Sequence, residues 1–98
     1  MGQSMLDVLL SRREELLMVS EKHGVASIRL FGSVARGDDQ AASDIDFLVT
    51  TGPEVSAWFP AQLIHDLEQI LGRPVDVVTE AGLNPHFRDQ IISESIAL

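Results

Sequence analysis

A small α/β fold, with a sheet of about three strands layered against helices, is what this 98-residue sequence predicts. Three observations carry that expectation. Apolar residues recur at helical spacing in three long stretches. Three short runs rich in β-branched residues alternate with them, and glycine or proline punctuates the junctions. Strands alternating with helices bury their apolar faces by forming a sheet covered with helices.

The first stretch, about Gln3 to Lys22, places Leu6, Leu9, Leu10, Leu16 and Leu17 on a helical stripe, with Arg12, Arg13, Glu14 and Glu15 between or beside them. Gly24 follows where a helix C-cap favours glycine. Ala26 to Phe31 is short and apolar-rich, ends at Gly32, and predicts a strand. Ser33 to Arg36 can form one helical turn before Gly37 stops it, and residues 38–43 are polar and small, as in a loop. Asp44 to Thr50 predicts a second strand, ended by Gly52-Pro53. From Ala57 to Leu71 the residues Leu63, Ile64, Leu67, Ile70 and Leu71 form one helical stripe, with Trp58 and Phe59 expected to anchor that helix on the sheet. Pro74 to Thr79 predicts the third strand, with Val75, Val77 and Val78 around Asp76. Asn84-Pro85 then supplies an N-cap and a first-turn proline for a last helix bearing Phe87, Ile91, Ile92, Ser95 and Ile96. One domain over residues 1–98 is expected, with no repeat or linker. The spacings leave open which strands run parallel.

Composition narrows the chemistry. Hydrophobic residues at 45% and charged ones at 22% describe a globular chain. Seven basic against fifteen acidic residues give a net charge of −8. Affinity for a nucleic-acid backbone comes mainly from basic side chains on phosphates, so direct nucleic-acid binding is not expected. An acidic chain can still hold a triphosphate when divalent cations stand between carboxylates and phosphates. The absence of cysteine excludes disulfides, a thiolate nucleophile and cysteine-based zinc sites. No stretch has a secretory pattern or membrane-spanning length, so the expected location is the cytoplasm, away from membranes. The three histidines show no metal-ligand spacing.

The chemistry-bearing residues lie close together in sequence. Residues two apart on a strand point to one side, so Asp44 and Asp46 project together while Ile45 and Phe47 face the other way. Two adjacent carboxylates repel, and a hard divalent cation with oxygen ligands relieves that repulsion. Asp76, on another strand, completes a three-carboxylate site if the two strands are neighbours. Gly32 ends a strand and Ser33 opens a turn, so backbone N–H groups and the Ser33 hydroxyl can cradle phosphate oxygens. Arg36 lies about one helical turn further on, within reach of the same anion. An isolated Asp-x-Asp pair is ordinarily a solvated strand end, and a lone glycine-serine an ordinary turn. Together they describe a phosphate cradle beside a divalent-metal cluster, the apparatus of two-metal phosphoryl or nucleotidyl transfer.

Gly32-Ser33, Arg36-Gly37 and Ser43-Asp44-Ile45-Asp46, in this order, resemble the signature of the DNA polymerase β-like nucleotidyltransferase superfamily and, more narrowly, its minimal nucleotidyltransferase branch. The similarity extends through Pro74-Val75-Asp76-Val77-Val78 to the closing helix, covering roughly Ala26 onward. It implies a small mixed sheet of the polymerase β palm type. It also implies transfer of a nucleoside monophosphate, commonly AMP from ATP, with release of pyrophosphate. Gly32 and Ser33, with Arg36 nearby, would hold the phosphates. Asp44 and Asp46 would ligate two Mg²⁺ ions, and Asp76 would complete the site and help activate the attacking hydroxyl. Minimal members typically act beside a helical HEPN-type partner in toxin–antitoxin pairs, where the minimal protein is the antitoxin and can adenylylate the toxin. Two other readings follow from the same residues: a binding module that silences a HEPN ribonuclease by occlusion, and transfer to a small molecule. This chain length leaves no room for an acceptor domain of its own, which favours a partner protein as acceptor.

Overall fold

The computed structural model describes residues 4–98, and its first helix begins with a reciprocal cap. Ser4 Oγ accepts from the Asp7 N–H at 3.1 Å, and the Asp7 carboxylate accepts from the Ser4 N–H at 3.4 Å. The expected single helix from Gln3 to Lys22 is in fact two, α1 (Met5–Ser11) and α2 (Arg13–Lys22), and Gln3 lies outside the described residues. The break falls at Arg12 for a tertiary reason. Its Nη1 donates to the Ile70 carbonyl at 2.6 Å, satisfying a carbonyl in the last turn of a later helix. Its Nε and Nη2 meet the Glu15 carboxylate.

Strands β1 (Val25–Phe31), β2 (Ile45–Thr51), β3 (Val75–Thr79) and β4 (Ile96–Ala97) form one mixed sheet in the order β3-β2-β1-β4. β1 pairs antiparallel with β2 and β4, while β2 and β3 run parallel. β4 is a strand beyond the three expected. The last helix, α5 (Pro85–Glu94), starts on the Asn84 cap as expected, but stops before Ser95. Arg29 Nε donates to Ser95 Oγ at 2.5 Å and the Leu98 N–H bonds the Ile28 carbonyl, which peels the C-terminus off the helix and onto the sheet edge.

The remaining helices are α3 (Gly32–Arg36) and α4 (Ala61–Leu71), with a short 3₁₀ turn over Glu80–Gly82. α4 starts four residues later than the apolar stripe suggested, because Pro60 disfavours helical backbone at Phe59. Phe59 packs against the core, but Trp58 is 71% exposed and anchors nothing.

The core lies between one sheet face and the helices. Leu9, Leu16, Val34, Leu63 and Leu67 from α1 to α4 meet Ile28, Leu30, Ile45, Phe47 and Val49, all buried. Strand alternation turns Arg29, Asp46, Leu48 and Asp76 to the opposite face. There α5, which has no buried residue, gives only partial cover. His23 Nε2, 2.7 Å from Asp66 Oδ2, ties the end of α2 to α4. No helix among the described residues is long and apolar enough to cross a membrane.

Candidate active site

The lightly covered sheet face carries two of the sequence-predicted site residues, Asp46 and Asp76, side by side. Asp46 is the second residue of β2 and Asp76 the second of β3, and in this parallel pair they stand in register with each other. The expected adjacency of the two strands is therefore present, for Asp46 and Asp76. Register follows from alternation: Ile45 and Phe47 with Val75 and Val77 are buried on the core side, and a slip of one residue would turn all four to the open face. Asp44 ends the preceding loop and is exposed, as is Asp76, whereas Asp46 is half-buried.

Electrostatics reports the crowding. Burial holds the Asp46 carboxyl above its ordinary range, and the negative charges of Asp76 and then Asp44 push it further up, against an opposing pull from Arg36. Three charged groups, Asp76, Asp44 and Arg36, thus act on this one carboxylate. Arg36 itself lies on the surface, donating from Nε to Asp38 at 3.2 Å.

Gly32 abuts the same carboxylate. Phe31 faces Asp46 across the antiparallel pair, and the chain turns directly afterwards into α3, held down by the fully buried Val34. Gly32 takes φ +76°, and a Cβ there would lie 2.2 Å from Asp46 Oδ2. Only a residue with no side chain lets the turn lie this close to the acid. Ser33, next along, is half-buried at the start of α3, and Gly37 ends that helix in the left-handed region.

Among the described residues, no three histidine or acidic side chains are gathered tightly enough to clasp an ion by themselves. Magnesium usually keeps water and phosphate oxygens in its shell and takes only one or two carboxylates from a protein. The carboxylate oxygens of half-buried Asp46, crowded by Asp76 and Asp44 and next to a turn free of side chains, are donors of the kind such an ion takes. A cleft of about 520 Å³, lined by residues such as Lys22, His23, Trp58 and His65, has none of these carboxylates in its lining. It has neither clustered acids nor a glycine turn, so volume alone does not locate the chemistry.

One residue that sequence reasoning passed over also belongs to this region. Arg73, just before β3, holds the loop that leads into Asp44 through three hydrogen bonds. Nothing in the pattern of the sequence marks it, because its partners are thirty or more residues away.

Comparison with known proteins agrees with this arrangement. The family profile described as a nucleotidyltransferase domain matches residues 13–98. A provisionally named protein adenylyltransferase of Methanocaldococcus jannaschii is 36% identical over 86% of this chain and 90% of its own. The protein adenylyltransferase MntA of Thermococcus cleftensis is 32% identical over 91% of this chain and 87% of its own. A solved structure provisionally named a minimal nucleotidyltransferase superposes with a TM-score of 0.84 at 42% identity, over 95% of each chain. A toxin–antitoxin crystal structure with AMP-PNP shares the fold, with a TM-score of 0.72 at 21% identity over 86% of this chain and 69% of that one. With the paired strand aspartates, the glycine turn beside them and a profile that spans nearly all of the sequence, the chain belongs to the nucleotidyltransferase domain family, on its minimal nucleotidyltransferase branch.

Proposed function

We propose that this chain transfers AMP from Mg²⁺-bound ATP to a hydroxyl of a partner protein, acting as the antitoxin of a HEPN-type helical toxin. The observation that carries this reading is Asp46. It is half-buried, held in register with Asp76, raised in pKa by that burial and then by both neighbouring aspartates, and touched by a glycine turn that no side chain obstructs. Relatives at 36% and 32% identity are named protein adenylyltransferases, and a fold neighbour is a toxin–antitoxin complex with an ATP analogue, which supports donor, acceptor class and setting.

In this mechanism Asp44 and Asp46 would hold the divalent ions, and Gly32 and Ser33 offer backbone N–H groups and a hydroxyl to the β- and γ-phosphates. Arg36, on leaving Asp38, adds a positive charge to the same anion. Bound magnesium supplies charge neutralisation between carboxylates and phosphates and lowers the pKa of an oxygen bound to it. Asp76 orients the acceptor hydroxyl and takes up its proton as the oxygen bonds to the α-phosphorus. The bond from the α-phosphorus to the bridging oxygen breaks, and pyrophosphate leaves. The site lies on an open sheet face, which allows a macromolecular acceptor to approach.

The test is label transfer. Wild-type protein, Mg²⁺ and α-phosphate-labelled ATP in a lysate of the host should label a protein band that Asp46→Asn leaves unlabelled. Equal labelling by both proteins, or none by either, overturns transfer at this site. An Asp46→Asn variant that still neutralises a toxin partner would show that occlusion, not transfer, is the antitoxin activity.

A further inference from the structure

Asp44 is bracketed by contacts from two consecutive residues at the entry to β3. On one side the Ser43 carbonyl accepts from Arg73 Nη2 at 2.6 Å, and on the other the Ile45 N–H donates to the Pro74 carbonyl at 2.9 Å. Arg73 Nη2 also reaches the Gln40 carbonyl at 2.9 Å, and Nη1 holds Asp39 Oδ2 at 3.1 Å. One guanidinium therefore grips residues 39, 40 and 43 of the stretch between Gly37 and β2, which has no helix or strand of its own.

The burial of this fork sets it apart from the other loop ion pair. The Arg73 and Asp39 side chains are 13% and 15% exposed, against 55% and 62% for Arg36 and Asp38. An exposed pair contributes little, whereas a buried planar fork with several acceptors fixes geometry. Arg73 Nε is buried with no partner among the described residues, a desolvation cost that the other three bonds must outweigh. Asp76 lies three positions after Arg73 on the same segment. That one segment thus carries an acid of the site and the clamp on the loop that presents another.

From this we infer that Arg73 is a positioning residue that sets Asp44 against Asp46 and Asp76 for divalent-cation binding. The inference rests on the proposed reading of these three aspartates as the metal site. Residues that orient metal ligands without touching the metal typically change affinity about 10- to 100-fold when altered. Lysine keeps the charge of arginine but presents one ammonium in place of a planar fork, so Arg73→Lys cannot hold all three acceptors.

The experiment titrates Mn²⁺, in the presence of a non-hydrolysable ATP analogue, into wild type, Arg73→Lys, Asp39→Asn and Asp46→Asn, with free Mn²⁺ read by electron paramagnetic resonance. Thermal unfolding of each variant runs alongside. Arg73→Lys should remain folded at the titration temperature yet bind Mn²⁺ about 10- to 100-fold more weakly. Asp39→Asn, which keeps the two carbonyl contacts, should show a smaller loss in the same direction. A folded Arg73→Lys with unchanged Mn²⁺ affinity overturns the positioning role. If that variant does not fold, an unchanged affinity in folded Asp39→Asn overturns it instead. Wild type that binds Mn²⁺ where Asp46→Asn does not keeps the metal-site reading intact even then. Wild type that takes up no Mn²⁺ overturns both.

Discussion

Gly32→Ala separates the two roles of this glycine, as a backbone joint and as open space beside an acid. The added Cβ would lie 2.2 Å from Asp46 Oδ2 and 3.1 Å from its Cγ, where ordinary contact begins at 3.4 Å. The carboxylate oxygen must therefore retreat by about 1.2 Å. It is the far end of a side chain, so that retreat costs the fold little. Its consequence falls on the site, since a misplacement of about 1 Å can cost roughly 100-fold in rate. The backbone cost is separate: left-handed φ in a residue with a Cβ is unfavourable by about 1–2 kcal/mol. For a domain of this size each kcal/mol lowers the melting temperature by about 4–8 °C. Gly37 is the control. Its φ of +80° carries the same backbone cost, but a Cβ there meets nothing within 4 Å. Both alanine variants should melt lower by a similar amount, measured by calorimetry. Only Gly32→Ala should lose transfer of label from α-phosphate-labelled ATP, by about 100-fold at a temperature where both are folded. Equal activity in the two variants would refute the claim that the turn must lie against Asp46.

Other consequences follow from the same geometry. Because the Asp46 carboxyl is raised, the folded chain binds that proton more tightly than the unfolded one, and stability falls as pH rises from the ordinary carboxylate range through the raised value. Asp46→Asn removes the crowded charge, so it should melt above wild type at neutral pH with the gap closing in acid, and equal neutral-pH melting would contradict the repulsion. A divalent ion and nucleotide that bind the folded state should raise the melting temperature of wild type and leave Asp46→Asn unmoved. Phe47, fully buried between sheet and helices, should cost about 3–5 kcal/mol on truncation to alanine, a large part of the roughly 5–15 kcal/mol that stabilises a typical domain. Denaturant unfolding would show this, and a loss of unfolding free energy under about 1 kcal/mol would mean the core is not organised around β2.

Much of this molecule was readable before folding because its signals are local. The alternation of Asp44-Ile45-Asp46-Phe47 says which side chains share a face, and the Asn84-Pro85 pair marks a helix start, since both depend on backbone geometry over a few residues. The glycine-serine and Asp-x-Asp pieces, taken together, are likewise the local basis of the proposed phosphate cradle and cation site. What three dimensions decided were the facts that join distant residues. Ser95 and Ile96 continue the apolar stripe of α5, yet Arg29, 66 residues away from Ser95, draws the chain off as β4. Arg12 looks like one more surface residue on a long helix until the Ile70 carbonyl, 58 residues away, accepts a hydrogen bond from it and the helix divides. The parallel pairing that sets Asp76 beside Asp46, and the Arg73 fork on the Asp44 loop, have no local signature either. Propensity and periodicity act over a turn or a strand, whereas register and long-range hydrogen bonds are chosen by the packing of the whole core. The sequence alone therefore marked the candidate residues, and only the tertiary structure decided that Asp76 and Gly32 lie beside Asp46.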